Sequence, residues 1–225
     1  MIRLGIRSAI RRRVSAARQR EIYARVSDYT MIPVRRFCAN LSLAETVLDI
    51  PGCIVECGVW RGGMSAGLCL LLGSERDYFL FDSFEGLPPA QPIDGQDALQ
   101  YQQNAASPGY RDNCTAPPEF ARRAMELAGA QRFHLVPGWF NQTLPGFEPE
   151  QPIALLRLDG DWYESTMVCL RSLFDRVAPN GIIIVDDYYD WDGCSRALHD
   201  FLSERKATER IRSFNGSVCY LTKSG

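Results

Sequence analysis

The chain is poor in histidine and lysine: His134, His199, Lys206 and Lys223 are all it has of either in 225 residues. So few histidines, far apart in the chain, leave little material for a zinc site. Eight cysteines (38, 53, 57, 69, 114, 169, 194 and 219) are scattered without a single CxxC pair. Cys53, Cys57, Cys169 and Cys219 lie inside apolar segments, where a free thiol behaves as a small hydrophobe. That pattern argues against a disulfide framework and points to a reducing, cytoplasmic setting. No apolar run approaches the ~20 residues a membrane helix needs. The opening segment has neither an unbroken apolar core nor a small-residue cleavage site, so it does not read as a secretory signal. Internal repeats, low-complexity tracts, GxGxxG and the GK[ST] of a phosphate loop are all missing.

What is present is an ordinary globular composition, 46% hydrophobic and 23% charged, long enough for one domain. The formal charge of −2 hides an asymmetry. Seven arginines and no acid fall in residues 1–20, leaving about −9 on the rest. We expect residues 1–28 to be a basic helical arm, solvated or contacting a second subunit, with a homodimer as the expected assembly. An anionic lipid surface or a mitochondrial transit peptide would suit the same pattern. Nothing aromatic accompanies it and the body is acidic, so nucleic acid is not an expected partner.

Helical periodicity covers roughly 37–49. Next come an apolar run (53–59), the turn "WRGG", an apolar helix (64–73) and a second strand (77–84), in the order of a nucleotide-binding βα unit. Residues 85–118 are polar and rich in proline and glycine without periodicity, as in a functional or disordered loop. A helix then opens near Pro117 and runs to about 128. Strands are expected at 132–138, 153–160 and 182–187, with helices at 163–177 and 193–205. Two extended runs flank Asn215-Gly216, a strong hairpin signal. Repeated βα units give a parallel sheet. The expected fold is α/β, doubly wound and Rossmann-like, with an antiparallel last strand.

In such sheets ligands bind beyond the carboxyl ends of the strands. "VECGVWRGGMS" stands there after the first strand. Gly58 lets backbone approach a ligand, and Gly62-Gly63 open a helix whose N-terminus favours an anionic group. Ser65 offers a hydrogen bond to the same group. Asp82 ends the second strand, where an acid accepts ribose hydroxyls. A glycine turn without a phosphate cradle, joined to that acid, suits a nucleoside without pyrophosphate, S-adenosylmethionine foremost, with Glu56 facing its amino group. The plainer reading makes Glu56 and Asp82 strand-end or capping acids.

Two strands end in aspartate pairs, Asp159/Asp161 in "LDGDWYEST" and Asp186/Asp187 in "IIIVDDY". Like charges ~4 Å apart cost roughly 4 kcal/mol at an effective dielectric of ~20. A proton, an arginine or a metal must offset that. Oxygen ligands without histidine suit Mg²⁺. Asp159, Asp186 and Asp187 are the candidate ligands and Asp161 the candidate base. Alternatively these acids cap helices or pair with Arg157 and Arg196.

"YTMIP" (29–33), "VECGVWRGG" (55–63), "FDSFEGLP" (81–88), "GWFNQTLP" (138–145), "LDGDWYEST" (158–166), "IIIVDDY" and "GCSRALHDF" resemble the macrocin O-methyltransferase family, whose members methylate sugar hydroxyls of antibiotics. The resemblance runs from about Tyr29 to the C-terminus, over a methyltransferase domain at 29–225. It implies Asp159, Asp186 and Asp187 as magnesium ligands and Asp161 as general base. It also implies Glu56, Gly58, Ser65, Asp82 and Ser83 around S-adenosylmethionine, Thr30 and Met31 at its methionine end, and Trp139 and Phe140 by the cofactor or acceptor. From the residues alone, those two aromatics read equally as core. The loop 86–115 would be a lid over a glycosylated acceptor, and residues 1–20 fall outside the resemblance. A catechol or phenol acceptor is the second reading, with Trp139, Trp162 and Trp191 as a clamp and a lysine as base. A noncatalytic S-adenosylmethionine-binding scaffold is the third.

Overall fold

The computed structural model describes residues 16–107 and 109–225, so the arginines at 3, 7, 11, 12 and 13 lie outside the described residues. Residues 16–26 form helix α1. After a 3-10 turn at Ser27–Tyr29 comes α2 (Val34–Ala44). The chain continues through β1 (Cys53–Cys57), α3 (Gly63–Leu72), β2 (Asp77–Asp82), α4 (Gln96–Gln103), α5 (Pro118–Ala128) and β3 (Arg132–Pro137). A single turn, α6 (Phe140–Thr143), leads to β4 (Ile153–Leu158), α7 (Tyr163–Leu173), β5 (Val177–Val185) and α8 (Asp192–Glu204). The hairpin β6 (Arg212–Phe214) and β7 (Val218–Thr222) ends it.

The strands form one seven-stranded sheet in the order β3-β2-β1-β4-β5-β7-β6. β1 to β5 run parallel, β7 pairs antiparallel with β5, and β6 closes the edge. Asn215 and Gly216 turn the hairpin with φ of 51° and 66°. The doubly wound sheet with an antiparallel last strand is therefore the architecture. β1 and β4 are buried at every position, which is why they read as continuous apolar runs rather than alternating ones. One face packs on α1, α2, α3 and α5, the other on α7 and α8. The order reverses between β1 and β4, and a crevice opens beyond their carboxyl ends.

Four segments differ from expectation. α2 starts three residues early, directly after Pro33, and ends at Ala44 in a 3-10 turn. β5 begins at Val177 and carries Pro179, Asn180 and Gly181 as a bulge against β4. The segment 86–115 holds the helix α4 and two 3-10 turns, Pro92–Asp94 and Asp112–Cys114. Finally, the described part of the N-terminal segment is no free arm. Ile22 and Val26 are buried in the main core, and Tyr23 packs edge-on against Phe37 at 5.2 Å. The boundary expected at residue 28 thus falls within a continuous core. No cysteine is paired with another, and no helix among the described residues is long and apolar enough to cross a membrane.

Candidate active site

A cavity of about 590 Å³ occupies the crevice. Thr30, Met31, Glu56, Gly58, Asp82, Ser83, Trp139, Phe140, Asp159, Asp161, Asp186 and Asp187 all line it. Ser65 does not. It is 2% exposed and donates its hydroxyl to Glu56 Oε2, so it supports the acid rather than facing the cavity.

The glycine turn is built around Asp82. Its Oδ2 accepts from the backbone N–H of Val59 at 2.6 Å and of Trp60 at 2.8 Å, and its Oδ1 from that of Phe84 at 2.7 Å. Asp82 therefore shapes the turn first, and Oδ1 keeps acceptor capacity for one further donor. Gly58 has φ of 90°, and a Cβ there would run into the carbonyl oxygen of Asp159. The close approach its sequence position suggested is to the end of β4.

The two aspartate pairs do converge, and an arginine stands behind them. Arg157, wholly buried on β4, donates Nη1 to Glu56 Oε1 at 2.7 Å and to Asp159 Oδ2 at 2.8 Å. Its Nη2 lies 3.0 Å from Asp186 Oδ2, and its Nε donates to Asn40 Oδ1 at 3.2 Å. Asn40 Nδ2 in turn donates to Asp186 Oδ1 at 3.0 Å. Burial alone would lower the Arg157 pKa, yet Asp159, Asp186 and Glu56 hold it well above its usual value. Strand register explains the meeting: Arg157 is the direct partner of Glu56 across β1 and β4.

Arg36, whose Nη1 lies 3.8 Å from Asp186 Oδ2, adds a second guanidinium, and the two still leave acids in excess. Burial pushes Glu56 up to about 7 despite Arg157, and raises Asp159 too. Asp187 and Asp161 stand well above the usual carboxylate range, through burial first, then repulsion from Asp161 and Asp159 at Asp187 and from Asp159 and Asp186 at Asp161. Asp159, Asp186 and Asp187 each offer an oxygen, all within 4.8 Å of one another. That all-oxygen set, with negative charge in excess, fits a hard divalent cation. Asp161 stands apart from the three. It has φ of 58°, its N–H donates to Asp187 Oδ2 at 3.0 Å, and its Oδ1 accepts from Trp191 Nε1 at 2.8 Å.

The segment 86–115 is pinned over this site. Trp162 Nε1 and Gln102 Nε2 both donate to Pro88 O at 2.9 Å. Asp94, 3% exposed, accepts from the N–H of Tyr163 at 2.7 Å and from that of Gln91 at 2.7 Å. Of these residues Asp94 and Asn40 carried no signal in the sequence. Arg157 did: a lone charge inside "IALLRL" has to find a partner.

A mixed sheet of this order, with a glycine turn after β1, an acid ending β2 and carboxylates at the ends of β4 and β5, is that of the class I methyltransferases. The solved structure of the O-methyltransferase NovP superposes with a TM-score of 0.71 at 28% identity, covering 88% of this chain and 83% of that one. Residues 7–223 match the family described as Macrocin-O-methyltransferase (TylF). The chain belongs to that family, and it is an O-methyltransferase. It is 34% identical over 197 residues to 8-demethyl-8-(2,3-dimethoxy-alpha-L-rhamnosyl)-tetracenomycin-C 4'-O-methyltransferase of Streptomyces olivaceus, covering 84% of this chain and 73% of that protein. It is 32% identical over 206 residues to mycinamicin III 3''-O-methyltransferase of Micromonospora griseorubida, covering 87% and 79%. The match from residue 7 takes in most of the basic segment that the sequence reading left outside the resemblance.

Proposed function

We propose that this enzyme transfers the methyl group of S-adenosylmethionine to a hydroxyl of a sugar in a glycosylated small molecule, with Mg²⁺ held by Asp159, Asp186 and Asp187. The observation that carries the reading is the convergence of those three carboxylates with Asp161 on one cavity, beside the glycine turn. The relatives' names, one of which gives a rhamnosyl-bearing substrate, support the acceptor class. A divalent cation there supplies a positive charge that lowers the pKa of an acceptor hydroxyl. Asp161 takes the hydroxyl proton, the oxygen lone pair attacks the sulfonium methyl carbon, and the carbon–sulfur bond breaks to leave a thioether. Glu56 accepts from the donor's amino group, the free capacity of Asp82 Oδ1 serves a ribose hydroxyl, and Thr30 and Met31 cover the methionine end. Ser83, Trp139 and Phe140 flank the donor and acceptor. The two waiting substrates are held in line and away from water by the 86–115 segment.

The phenol reading has less support. Trp139 and Trp162 line the cavity, but Trp162 is 1% exposed with its N–H spent on Pro88 and Trp191 does not line it, so the three tryptophans do not form the clamp together. Lys206 and Lys223 do not line it either. The test is methyl transfer to a panel of glycosides and phenols with and without chelator. Chelator-sensitive methylation of a glycoside is expected, and donor binding without any such turnover would sink the reading. Asp161→Asn should abolish turnover while calorimetry shows donor affinity nearly unchanged. The reading extends to a cytoplasmic homodimer joined through the basic N-terminal segment, for which sedimentation of the whole chain against one lacking residues 1–15 is the check.

A further inference from the structure

The candidate base is gripped from outside the cavity. Trp191 Nε1 donates to Asp161 Oδ1 at 2.8 Å, while the Trp191 backbone N–H donates to Asp187 O at 3.0 Å. The Trp191 ring packs edge-on against Trp162, with centroids 5.1 Å apart at 73°, and against Tyr101 of α4, 5.7 Å apart at 63°. Trp162 spends its own N–H on Pro88 O. Of two touching indoles, one therefore bonds the segment over the cavity and the other bonds the base.

We propose that Trp191 is a positioning residue for Asp161, and that through Tyr101 it ties the orientation of the base to the seating of the 86–115 segment. An aspartate has few torsions, and fixing Oδ1 leaves Oδ2 as the oxygen presented to an acceptor. An indole N–H donates only and accepts no proton, so Trp191 orients the carboxylate without competing for the proton it takes. The left-handed backbone of Asp161 and its N–H bond to Asp187 fix the other end of the side chain. A base held at both ends is worth rate because small displacements of reacting groups are costly. A purely structural tryptophan would also want a partner for its N–H, but it would have no reason to affect turnover alone.

The proposal rests on Asp161 being the base, and the test separates the two. Trp191→Phe keeps a ring and deletes the donor. It should lower kcat roughly 10- to 100-fold, leaving acceptor KM and the calorimetric affinities for S-adenosylmethionine and Mg²⁺ unchanged. Tyr101→Ala should lower kcat on its own and add little on the Trp191→Phe background. Fully additive losses would overturn the tie to the segment, and unchanged kcat in Trp191→Phe would overturn the positioning role. Turnover retained by Asp161→Asn removes the base assignment, and this proposal with it. Should Trp191→Phe fail to fold, the indole N–H resonance of Trp191 decides. It is expected to move in Asp161→Asn, and a resonance that stays put overturns the contact.

Discussion

Glu56 is 2% exposed, and burial pushes its carboxyl up to about 7 while Arg157 and Ser65 pull it down. An acid whose pKa is raised by folding binds its proton more tightly in the fold than in the unfolded chain. Its contribution to stability is thus complete below the usual value of 4.5 and is lost as pH rises towards about 7. Glu56→Gln should flatten that stretch of the melting-temperature profile, as scanning calorimetry across it would show. Donor binding carries the opposite sign, because only the ionised carboxylate attracts an ammonium group. Affinity for S-adenosylmethionine should climb as pH rises through the same window in the wild type and stay low and level in Glu56→Gln. Gly58→Ala should cost about 3 kcal/mol of stability in chemical denaturation, since its methyl has only the Asp159 carbonyl to occupy. At this scale the sequence showed the acids plainly and Arg157 dimly. An arginine in an apolar strand announces a buried partner, but which partner depends on β1 lying next to β4, and neighbours in a sheet are not written in either strand.

The segment over the cavity shows where element reading runs out. Strands β1 and β4 were legible because buried parallel strands are apolar throughout, and the hairpin because Asn-Gly marks its own turn. Helix α4, "QDALQYQQ", buries only Ala98, so it has no apolar stripe to reveal a period of 3.6. Its seat depends on partners distant in the chain: Asp94 on the N–H of Tyr163, and Pro88 on Trp162. The start of β5 was hidden for a related reason, since Pro179-Asn180-Gly181 reads as a turn and is a bulge. Asp94→Ala would leave the Tyr163 N–H without its partner, a loss of about 1–3 kcal/mol. We expect faster proteolytic cleavage within 86–115 and a raised acceptor KM, with donor affinity retained, measurable by limited proteolysis and steady-state kinetics.

Over the whole molecule, negative charge gathers at one rim of the sheet, where Glu56, Asp159 and Asp186 share Arg157 and Asp161 and Asp187 stand beside them. Any ligand that brings positive charge to that rim favours the folded state by mass action. With Mg²⁺ at 100 times its dissociation constant the gain is about 2.7 kcal/mol. Melting temperature should therefore rise on adding Mg²⁺ and fall back with chelator, and Asp186→Asn together with Asp187→Asn should remove the response. Residues 1–28 were expected as a separate arm because arginines crowd residues 1–20. Ile22 and Val26, four residues apart, carried the counter-signal of an inward face.

Arg157 has one further consequence. Small metal-dependent domains commonly stay unfolded until their ion arrives, because its binding supplies their folding free energy. Here a permanent resident cation already sits among the carboxylates, bonded to Glu56 and Asp159 and close against Asp186. On the proposed magnesium site, a newly synthesised chain should reach its final shape without the ion, and chelator should silence the protein without collapsing it.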